Sequence, residues 1–268
     1  SILMHINLTV KTALITVSTN GIGLAIATGL AQAGADVVIT GRNQVGVDSA
    51  VAQIKNALTQ TTYVKGIVAD LTTAEGCQAL IKAQADVDIL VNNLGIYGAK
   101  DYFEISDEDW DEIFQTNVMS GVRLSRHYAK GMKERGWGRI QFISSESALN
   151  IPAEMVHYGV SKAALQGLSR GLAKVLAGTG VTVNTIFPGP TRTSGAIKMM
   201  EDLGAERGLT AAEMESVFLQ ENRPSTLLGR FAAPEEVASM SVYIASPQAS
   251  ATTGSSLRVE GGIVESIA

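Results

Sequence analysis

Short runs of β-branched and aliphatic residues recur along the whole chain, and longer segments with helical spacing of apolar positions separate them. Such runs, bounded by polar or glycine-containing stretches, are typical of strands buried in a parallel sheet. The pattern predicts strands over residues 12–17, 36–40, 63–69, 87–92, 138–144, 181–186 and 256–259. It predicts helices over residues 21–32, 44–58, 73–84, 107–133 and 155–177.

Regular alternation of strand and helix indicates βαβ units, whose crossovers are right-handed. We therefore expect an α/β fold: a single doubly wound, Rossmann-type parallel sheet of about seven strands with helices on both faces. No linker or repeat interrupts the chain, so residues 1–268 are interpreted as one dinucleotide-binding and catalytic domain. Residues 193–229 exceed a simple connection and are expected to form a substrate lid. Methionines there fit either an apolar substrate or ordinary helix packing.

Composition limits which cellular compartment and which binding partners are expected. Hydrophobic residues make up 46% of the chain and aromatic residues only 5%, which fits an aliphatic core between sheet and helices. A net charge of −5 argues against a nucleic-acid partner, since such a protein presents a basic face. No apolar run reaches the roughly 18 residues of a membrane helix, and no signal-peptide pattern is present. With Cys77 as the only cysteine, a cytoplasmic protein without a membrane partner is expected.

A glycine-containing turn follows the first predicted strand and opens directly into a helix. It reads Thr16-Val17-Ser18-Thr19-Asn20-Gly21-Ile22-Gly23. Glycines let the backbone approach a pyrophosphate, and the helix N-terminus offers N–H donors and the positive end of its dipole. The turn therefore indicates a dinucleotide site, while two glycines by themselves are also explained by packing at the start of a helix.

Tyr158 and Lys162 lie four residues apart in a predicted helix, with Ser145 upstream at the end of a strand. Positions i and i+4 share one face of a helix, so the phenol and the ammonium can point into one cleft. A phenol titrates near pH ~10, and a cation beside it favours the phenolate. The pair is therefore interpreted as a proton-transfer device, although so short a spacing also arises by chance.

Further motifs occur in the order and spacing of one known family. Asp70-Leu71 follows the third predicted strand, and Asn92-Asn93-Leu94-Gly95 follows the fourth. Later in the chain come Asn117, Ser144-Ser145, the Tyr158/Lys162 pair, Pro188-Gly189-Pro190-Thr191-Arg192-Thr193, Arg230, Pro234-Glu235-Glu236-Val237 and Val259-Glu260-Gly261-Gly262. Over roughly residues 10–262 the chain resembles the single-domain short-chain dehydrogenases/reductases, and among them the 3-oxoacyl reductases.

The resemblance implies a catalytic tetrad. Tyr158 would act as general acid in reduction and as base in oxidation. Lys162 would lower the pKa of Tyr158 and hold the nicotinamide ribose, while Ser145 would donate a hydrogen bond to the substrate oxygen. Asn117 would hold a water that connects Lys162 to solvent.

The resemblance also implies a set of cofactor contacts. The residues at these positions are Thr16, Ser18, Asn20, Gly21, Ile22, Gly23, Arg42, Asp70, Leu71, Asn93, Gly95, Tyr158, Lys162, Pro188, Gly189, Thr191 and Thr193. The second predicted strand ends in Thr40-Gly41-Arg42-Asn43, without the carboxylate that takes the ribose 2′-hydroxyl of NAD. A guanidinium pairs well with phosphate. The cofactor is therefore predicted to be NADP(H), with NAD(H) possible because Ser18, Thr19 and Asn20 offer no second cation.

Two positions depart from the family pattern near the adenosine half of the cofactor. Val17 and Leu94 stand where family members keep Gly and Ala. A β-branched residue does not readily adopt a positive φ, which the turn can require. Two interpretations stay open: neighbouring residues have adjusted to the larger side chains, or cofactor binding is weakened or altered.

Three functions remain from the sequence. The first is an NADPH-dependent reductase of a ketone, the second an NAD-dependent dehydrogenase of an alcohol or sugar, and the third a nucleotide-binding or scaffolding protein with impaired catalysis. The substrate is expected to be a small carbonyl or alcohol, and Arg192 is the one obvious cation for a carboxylate group or the cofactor. Scattered histidines and a lone cysteine predict no metal site. Family resemblance implies a homodimer or homotetramer formed through the two long helices and the C-terminal segment.

Overall fold

The computed structural model describes residues 4–267; Ser1 to Leu3 and Ala268 lie outside the described residues. The predicted strands all form within a residue or two of their expected bounds, and the last strand forms where it was expected. The strands are β1 (Thr12–Ile15), β2 (Asp36–Gly41), β3 (Val64–Val68), β4 (Ile89–Asn92), β5 (Gly138–Ile143), β6 (Val181–Pro188) and β7 (Ser256–Val259).

All seven strands belong to one sheet with the order β3-β2-β1-β4-β5-β6-β7, and every neighbouring pair is parallel. This confirms the predicted Rossmann-type α/β fold. The strand order reverses direction between β1 and β4, and ligands of such sheets bind beside that reversal, outside the carboxyl ends of the strands. A ligand site is therefore expected at the carboxyl ends of β1, β4 and β5.

The sequence also predicted most of the helices. They are α1 (Gly21–Gln32), α2 (Gln44–Asn56), α3 (Ala74–Ala83), α4 (Asp107–Phe114), α5 (Ser120–Arg135), α6 (Val156–Val175), α7 (Ser194–Arg207), α8 (Ala211–Asn222) and α9 (Pro234–Ala245). None of these helices is long and apolar enough to span a membrane. The prediction missed α7, α8 and α9, which lie in segments assigned to the lid and to family motifs rather than to periodic helices.

Alternation along each strand divides the core in two, because successive side chains point to opposite faces of a sheet. Ile15 of β1 joins a buried cluster with α1, α2 and α9, through residues such as Ile26, Ile54 and Val237. Its neighbour Leu14 joins a second cluster with α3, α5 and α6. Both faces of the sheet are therefore covered, which explains why the strands are apolar almost throughout.

The segment 193–229 contains α7 and α8, which pack on each other around a small apolar cluster of their own. Met200, Met214 and Leu219 are buried there together with Phe231, while Met199 stays exposed. Ordinary helix packing therefore accounts for two of the three methionines, and only Met199 keeps the alternative interpretation open.

Candidate active site

The glycine turn after β1 leads into α1, whose first N–H groups have no side-chain cap. Asn20, the N-cap residue, makes no capping hydrogen bond, and the first turn holds no acidic residue. Side chains cap α2, α3, α4, α7 and α8 instead. A Cβ added at Gly23 would approach Asn93 Nδ2 to 2.6 Å, so the close path of the backbone requires glycine there. Uncapped donors beside a tight backbone fit the pyrophosphate of a dinucleotide.

Val17 occupies the left-handed region with φ 48°. Two hydrogen bonds hold its backbone: its N–H donates to Thr40 Oγ1 at 3.0 Å, and its carbonyl accepts from Asn93 Nδ2 at 3.1 Å. The turn thus does need a positive φ at this position, and a β-branched residue adopts it at a cost in strain. Leu94, the other departure from the family pattern, packs against the core cluster of α3, α5 and α6.

The hydroxyls of Thr16 and Ser18, two predicted cofactor residues, are engaged within the protein. Thr16 Oγ1 accepts from the N–H groups of Asn93 and Leu94 at 2.8 and 3.2 Å. Ser18 Oγ donates to the Ile15 carbonyl at 2.7 Å and accepts from Thr40 N–H at 3.1 Å. Both side chains are buried, so their hydroxyls hold the turn, and a contact of these residues with a cofactor stays a prediction. Sequence patterns do not separate these two roles, since each needs a small hydroxyl beside the turn.

Arg42 lies exposed just beyond the carboxyl end of β2. Within residues 4–267, no salt bridge engages its guanidinium. Thr19 of the glycine turn lies against the end of β2, since a Cβ added at Gly41 would lie 2.6 Å from Thr19 Cγ2. Hydrogen bonds from Thr72, together with the charge of Arg42, hold the pKa of the Asp70 carboxyl below its usual value. The Leu71 side chain is buried in the core, and its contact with a cofactor stays a prediction.

Ser145 and Tyr158 meet beyond the carboxyl end of β5. Burial raises the pKa of the Tyr158 hydroxyl, a hydrogen bond from Ser145 lowers it, and the nearby charge of Glu146 raises it again. The net direction is upward, opposite to the lowering by Lys162 that the resemblance implies. Lys162 Nζ lies 5.8 Å from the centroid of the Tyr158 ring.

Lys162 is buried on α6, and its Nζ donates to the Ile143 carbonyl at 3.2 Å. Burial lowers the pKa of Lys162 to about 8. A Cβ added at Gly95 would lie 2.8 Å from Nζ, so the loop after β4 passes directly over the ammonium. An ammonium that burial has made easier to deprotonate can take part in proton movement near neutral pH.

Asn117 lies in a π-helical turn, Gln115–Met119, that joins α4 to α5. The prediction of one uninterrupted helix over residues 107–133 missed this turn, because a π-bulge is a single turn inside an otherwise continuous helix. Asn117 Oδ1 accepts from Ile96 N–H at 2.7 Å, and Nδ2 donates to the Ile96 carbonyl at 2.9 Å and to Ser161 Oγ at 3.0 Å. Its side chain therefore ties the loop after β4 to α6, which carries Tyr158 and Lys162.

The loop after β6 returns to the glycine turn. Pro188 ends β6, Gly189 lies against Glu260, and Thr191 Oγ1 donates to the Gly189 carbonyl at 2.8 Å. Thr193 caps α7 and brings its methyl group within 3.6 Å of a Cβ built on Gly21. The structure thus brings the loops after β1 and β6 together, as the family pattern requires.

Two charged contacts were not foreseen. Arg192 forms two hydrogen bonds to Glu215, at 2.7 and 3.1 Å, so the cation expected to meet a carboxylate or the cofactor is already engaged. Arg223, at the end of α8, pairs through Nε with Glu146 Oε1 at 2.6 Å. The sequence carried no signal for this pair, because 77 positions separate its members. Among the described residues no group of three or more His, Cys, Asp or Glu side chains could hold a metal.

Comparison with known proteins covers almost the whole chain. Residues 16–264 match the family described as enoyl-(acyl carrier protein) reductase. The chain is 44% identical to the uncharacterized oxidoreductase YvaG of Bacillus subtilis over 264 residues, covering 98% of this chain and 100% of that protein. It is 34% identical over 261 residues to the 3-oxoacyl acyl-carrier-protein reductase FabG of Vibrio cholerae, covering 96% and 98%.

A solved structure is also similar. L-sorbose reductase from Gluconobacter frateurii, crystallised with NADPH and L-sorbose, superposes with a TM-score of 0.92 and 32% identity. The match covers 98% of this chain and 100% of that one.

Proposed function

The chain belongs to the short-chain dehydrogenase/reductase family of oxidoreductases, and we propose that it reduces a ketone to a secondary alcohol with NADPH. The observation that carries the proposal is the meeting of Ser145 and Tyr158 beside the buried Lys162. These three groups lie beyond β5, at the same edge of the sheet as the uncapped N-terminus of α1. A proton donor and a pyrophosphate site at one edge are what reduction of a carbonyl needs.

NADP(H) would lie across the carboxyl ends of β1 and β4 and supply the hydride when bound. The backbone around Gly21 and Gly23 would hold the pyrophosphate. Lys162 would face the nicotinamide half, together with the loop from Pro188 to Thr193, and Asn93 and Gly95 would contact the cofactor from the loop after β4.

Tyr158 would donate the proton to the carbonyl oxygen. Burial raises the pKa of the phenol, which favours its protonated form and suits a general acid acting in the direction of reduction. Ser145 would donate a hydrogen bond to the same substrate oxygen, and the ammonium of Lys162 would stabilise the phenolate left behind.

Asn117 would act by positioning. Its side-chain atoms are engaged with Ile96 and Ser161, so they hold the loop after β4 against α6 and keep Lys162 covered. Relay of the proton through an ordered water stays a prediction, and substitution of Asn117 should slow proton transfer more than it weakens cofactor binding.

Arg42 supports NADPH over NADH. It lies where the ribose of the adenosine half would end, and within residues 4–267 no salt bridge competes for it. The similar sorbose reductase was crystallised with NADPH. Asp70, the nearest carboxylate after β3, accepts two hydrogen bonds from Thr72, which leaves it less suited to take a ribose hydroxyl.

Calorimetric titration of the purified protein with NADPH and NADH tests the cofactor, and NADPH oxidation with 2,3-butanedione tests the reaction. We expect micromolar NADPH affinity, much weaker NADH affinity and turnover of the diketone. Preference for NADH would favour the alcohol or sugar dehydrogenase. If the protein binds neither NADPH nor NADH, a protein that has lost catalysis is favoured, and Val17 would be the first residue to test as the cause.

Two structural expectations belong to this proposal. Residues 193–229 would close over the substrate, which the contact of Arg223 with Glu146 supports. Association into a homodimer or homotetramer through α5 and α6 stays a prediction, and analytical ultracentrifugation tests it.

A further inference from the structure

Every cation of the segment that carries α7 and α8, from Arg192 to Arg230, is paired with a carboxylate. The five pairs are Arg192 with Glu215, Lys198 with Asp202, Arg207 with Glu221, Arg223 with Glu146, and Arg230 with Glu236. Three of these arginines bind their partners through two nitrogens. The segment therefore offers no unpaired positive charge to an anionic substrate.

The pair of Glu146 and Arg223 differs from the other four in its burial. The Glu146 side chain is 5% exposed and that of Arg223 is 19% exposed. Each of the other four pairs of this segment has a member that is exposed by 40% or more. Arg223 Nη1 also donates to the Asn222 carbonyl at 2.7 Å. Since buried ion pairs are costly unless their remaining hydrogen-bonding groups find partners, a polar ligand would complete this site.

Glu146 connects that pair to the reacting groups. It follows Ser145 directly in the chain, and its charge acts on the Tyr158 hydroxyl. It also lines a cavity of about 340 Å³ together with Asn150, Glu154, Glu221, Asn222, Arg223 and Ser225 and the apolar Pro152, Pro224 and Ile263. Most of these side chains carry hydrogen-bonding groups, whereas a site for an acyl chain would be lined by apolar ones.

Tyr97 provides a different surface beside Tyr158. The two rings meet edge to face with centroids 6.2 Å apart, and Tyr97 is 77% exposed. An exposed aromatic face can cover the C–H groups of a small ligand, while its hydroxyl stays in contact with water. One surface beside the reacting hydroxyl is thus aromatic and another is charged and hydrogen-bonding.

We propose that the substrate is a neutral polyhydroxylated ketone, recognised by hydrogen bonds from its hydroxyl groups to Glu146 and Arg223. This inference rests on the proposed reductase function and specifies its substrate. A sugar hydroxyl both donates and accepts, so one hydroxyl can satisfy the carboxylate and a neighbouring one the guanidinium. A keto acid or a phosphorylated carrier would instead meet the Glu146 carboxylate without a free cation to offset it.

The reaction balances without a further reactant. Hydride from NADPH adds to the carbonyl carbon, the C–O π bond breaks, and the oxygen takes the proton of Tyr158, which is later restored from solvent. NADPH is oxidised by two electrons, and the ketone gains one hydroxyl group.

The first test compares substrates on the wild-type protein with NADPH. The neutral series is dihydroxyacetone, erythrulose, fructose and sorbose; acetoacetate serves as the keto acid and an N-acetylcysteamine 3-oxobutanoyl thioester as the acyl substrate. We expect the best neutral sugar to exceed both others in kcat/KM by about 100-fold. Turnover of 2,3-butanedione without that preference would overturn this inference alone. Failure to oxidise NADPH with any ketone would overturn the proposed function instead.

The second test changes the charge of the site. Glu146→Gln unpairs Arg223, so kcat/KM for the sugar should fall by about 10-fold and that for acetoacetate should rise, because a keto acid now meets a free guanidinium. Lys198→Gln removes an exposed paired cation of the same segment and should leave the ratio of the two substrates within about two-fold. An unchanged ratio in a Glu146→Gln protein that still melts cooperatively and binds NADPH would contradict the proposal. Should that variant fail to fold, the wild-type comparison decides.

Discussion

The turn after β1 and the turn after β5 lie at the same edge of the sheet, but they are built from different parts of the chain. After β1, backbone N–H groups of α1 are presented to a ligand, and the side chains of Thr16 and Ser18 are turned inward. After β5, side chains meet: Ser145 contacts Tyr158, and Lys162 lies buried beside them.

This difference explains where the chain departs from its family. Val17 replaces a glycine in the first turn, yet the backbone keeps its path through φ 48° and its hydrogen bonds. A site made of backbone groups tolerates a new side chain if the added strain costs little free energy. A site made of side chains has no such tolerance, because each group supplies its own chemistry. Substitutions at the turn after β5 are therefore expected to have larger effects than substitutions at the turn after β1.

Tyr158→Phe should have the largest effect. Loss of the proton donor is expected to lower kcat by about 10²–10⁴-fold, while NADPH affinity stays nearly unchanged because the pyrophosphate site is backbone. Steady-state kinetics and calorimetry measure the two quantities. Tyr63→Phe removes the hydroxyl of an exposed tyrosine at the start of β3 and serves as the control. More than a tenth of wild-type kcat in the Tyr158 variant would rule out its proton-transfer role.

Lys162→Met should show how burial of the ammonium affects the free energy of unfolding. In the unfolded chain Lys162 keeps its proton up to its ordinary pKa of 10.5, and in the folded protein burial lowers the pKa to about 8. Between these values the unfolded state binds more protons, so wild-type stability should rise as the pH increases from 8 towards 10. The methionine variant lacks this dependence.

Urea unfolding of both proteins at pH 7, 8, 9 and 10 measures this difference. The stability of wild type relative to Lys162→Met should rise over that range by up to about 3 kcal/mol. If the stability difference between the two proteins does not change with pH, the folded Lys162 keeps its ordinary pKa. The surroundings of Lys162 would then be less strongly desolvated than the structure indicates.

Arg42→Gln tests a side-chain contact in the otherwise backbone-built region. Loss of a guanidinium facing the 2′-phosphate should weaken NADPH binding by about 10–100-fold and leave NADH affinity within about two-fold. Arg126→Gln, a change on the exposed side of α5, controls for net charge. Equal weakening of both cofactors would mean that Arg42 does not read the phosphate.

Val17→Gly should have the smallest effect, and on stability rather than binding. Relief of the left-handed strain, offset by the extra freedom of glycine in the unfolded chain, should stabilise the protein by about 1 kcal/mol. For a chain of this size the melting temperature should rise by about 2–4 °C. NADPH affinity should change by less than about three-fold, because the donors of the turn are already in place.

Val10→Gly is the matched control, since Val10 also adopts a positive φ of 64° in an exposed turn away from the site. It should be stabilising to a similar extent, with no effect on NADPH. A large gain in NADPH affinity from Val17→Gly alone would show that the side chain, not the strain, obstructs the cofactor.

Predictability varied between elements for physical reasons. The strands were predicted closely because each is a short aliphatic run, and Ser256–Val259 has the expected bounds. Helices α7 and α8 were missed because their apolar positions serve small local contacts, such as that of Met200 with Met214, rather than one continuous face. Helix α9 packs on the main core through Val237, but its segment was assigned only to a family motif. The π-turn at Asn117 is a single turn inside a long helical segment, and it was not predicted. Candidate site residues were found by motif, and the motif did not reveal which hydroxyls turn inward.

The amino-acid sequence by itself determined the order of the strands, the family, and the positions of Ser145 after β5 and of Tyr158 and Lys162 in α6. Those features depend on local periodicity and on short motifs, which the chain carries within a few residues. Only the tertiary structure decided that Arg192 is already paired, and that Glu146, the residue after Ser145, pairs with Arg223. Such pairs join distant segments, and electrostatic contacts of this kind depend on which charges folding brings together and on how deeply it buries them.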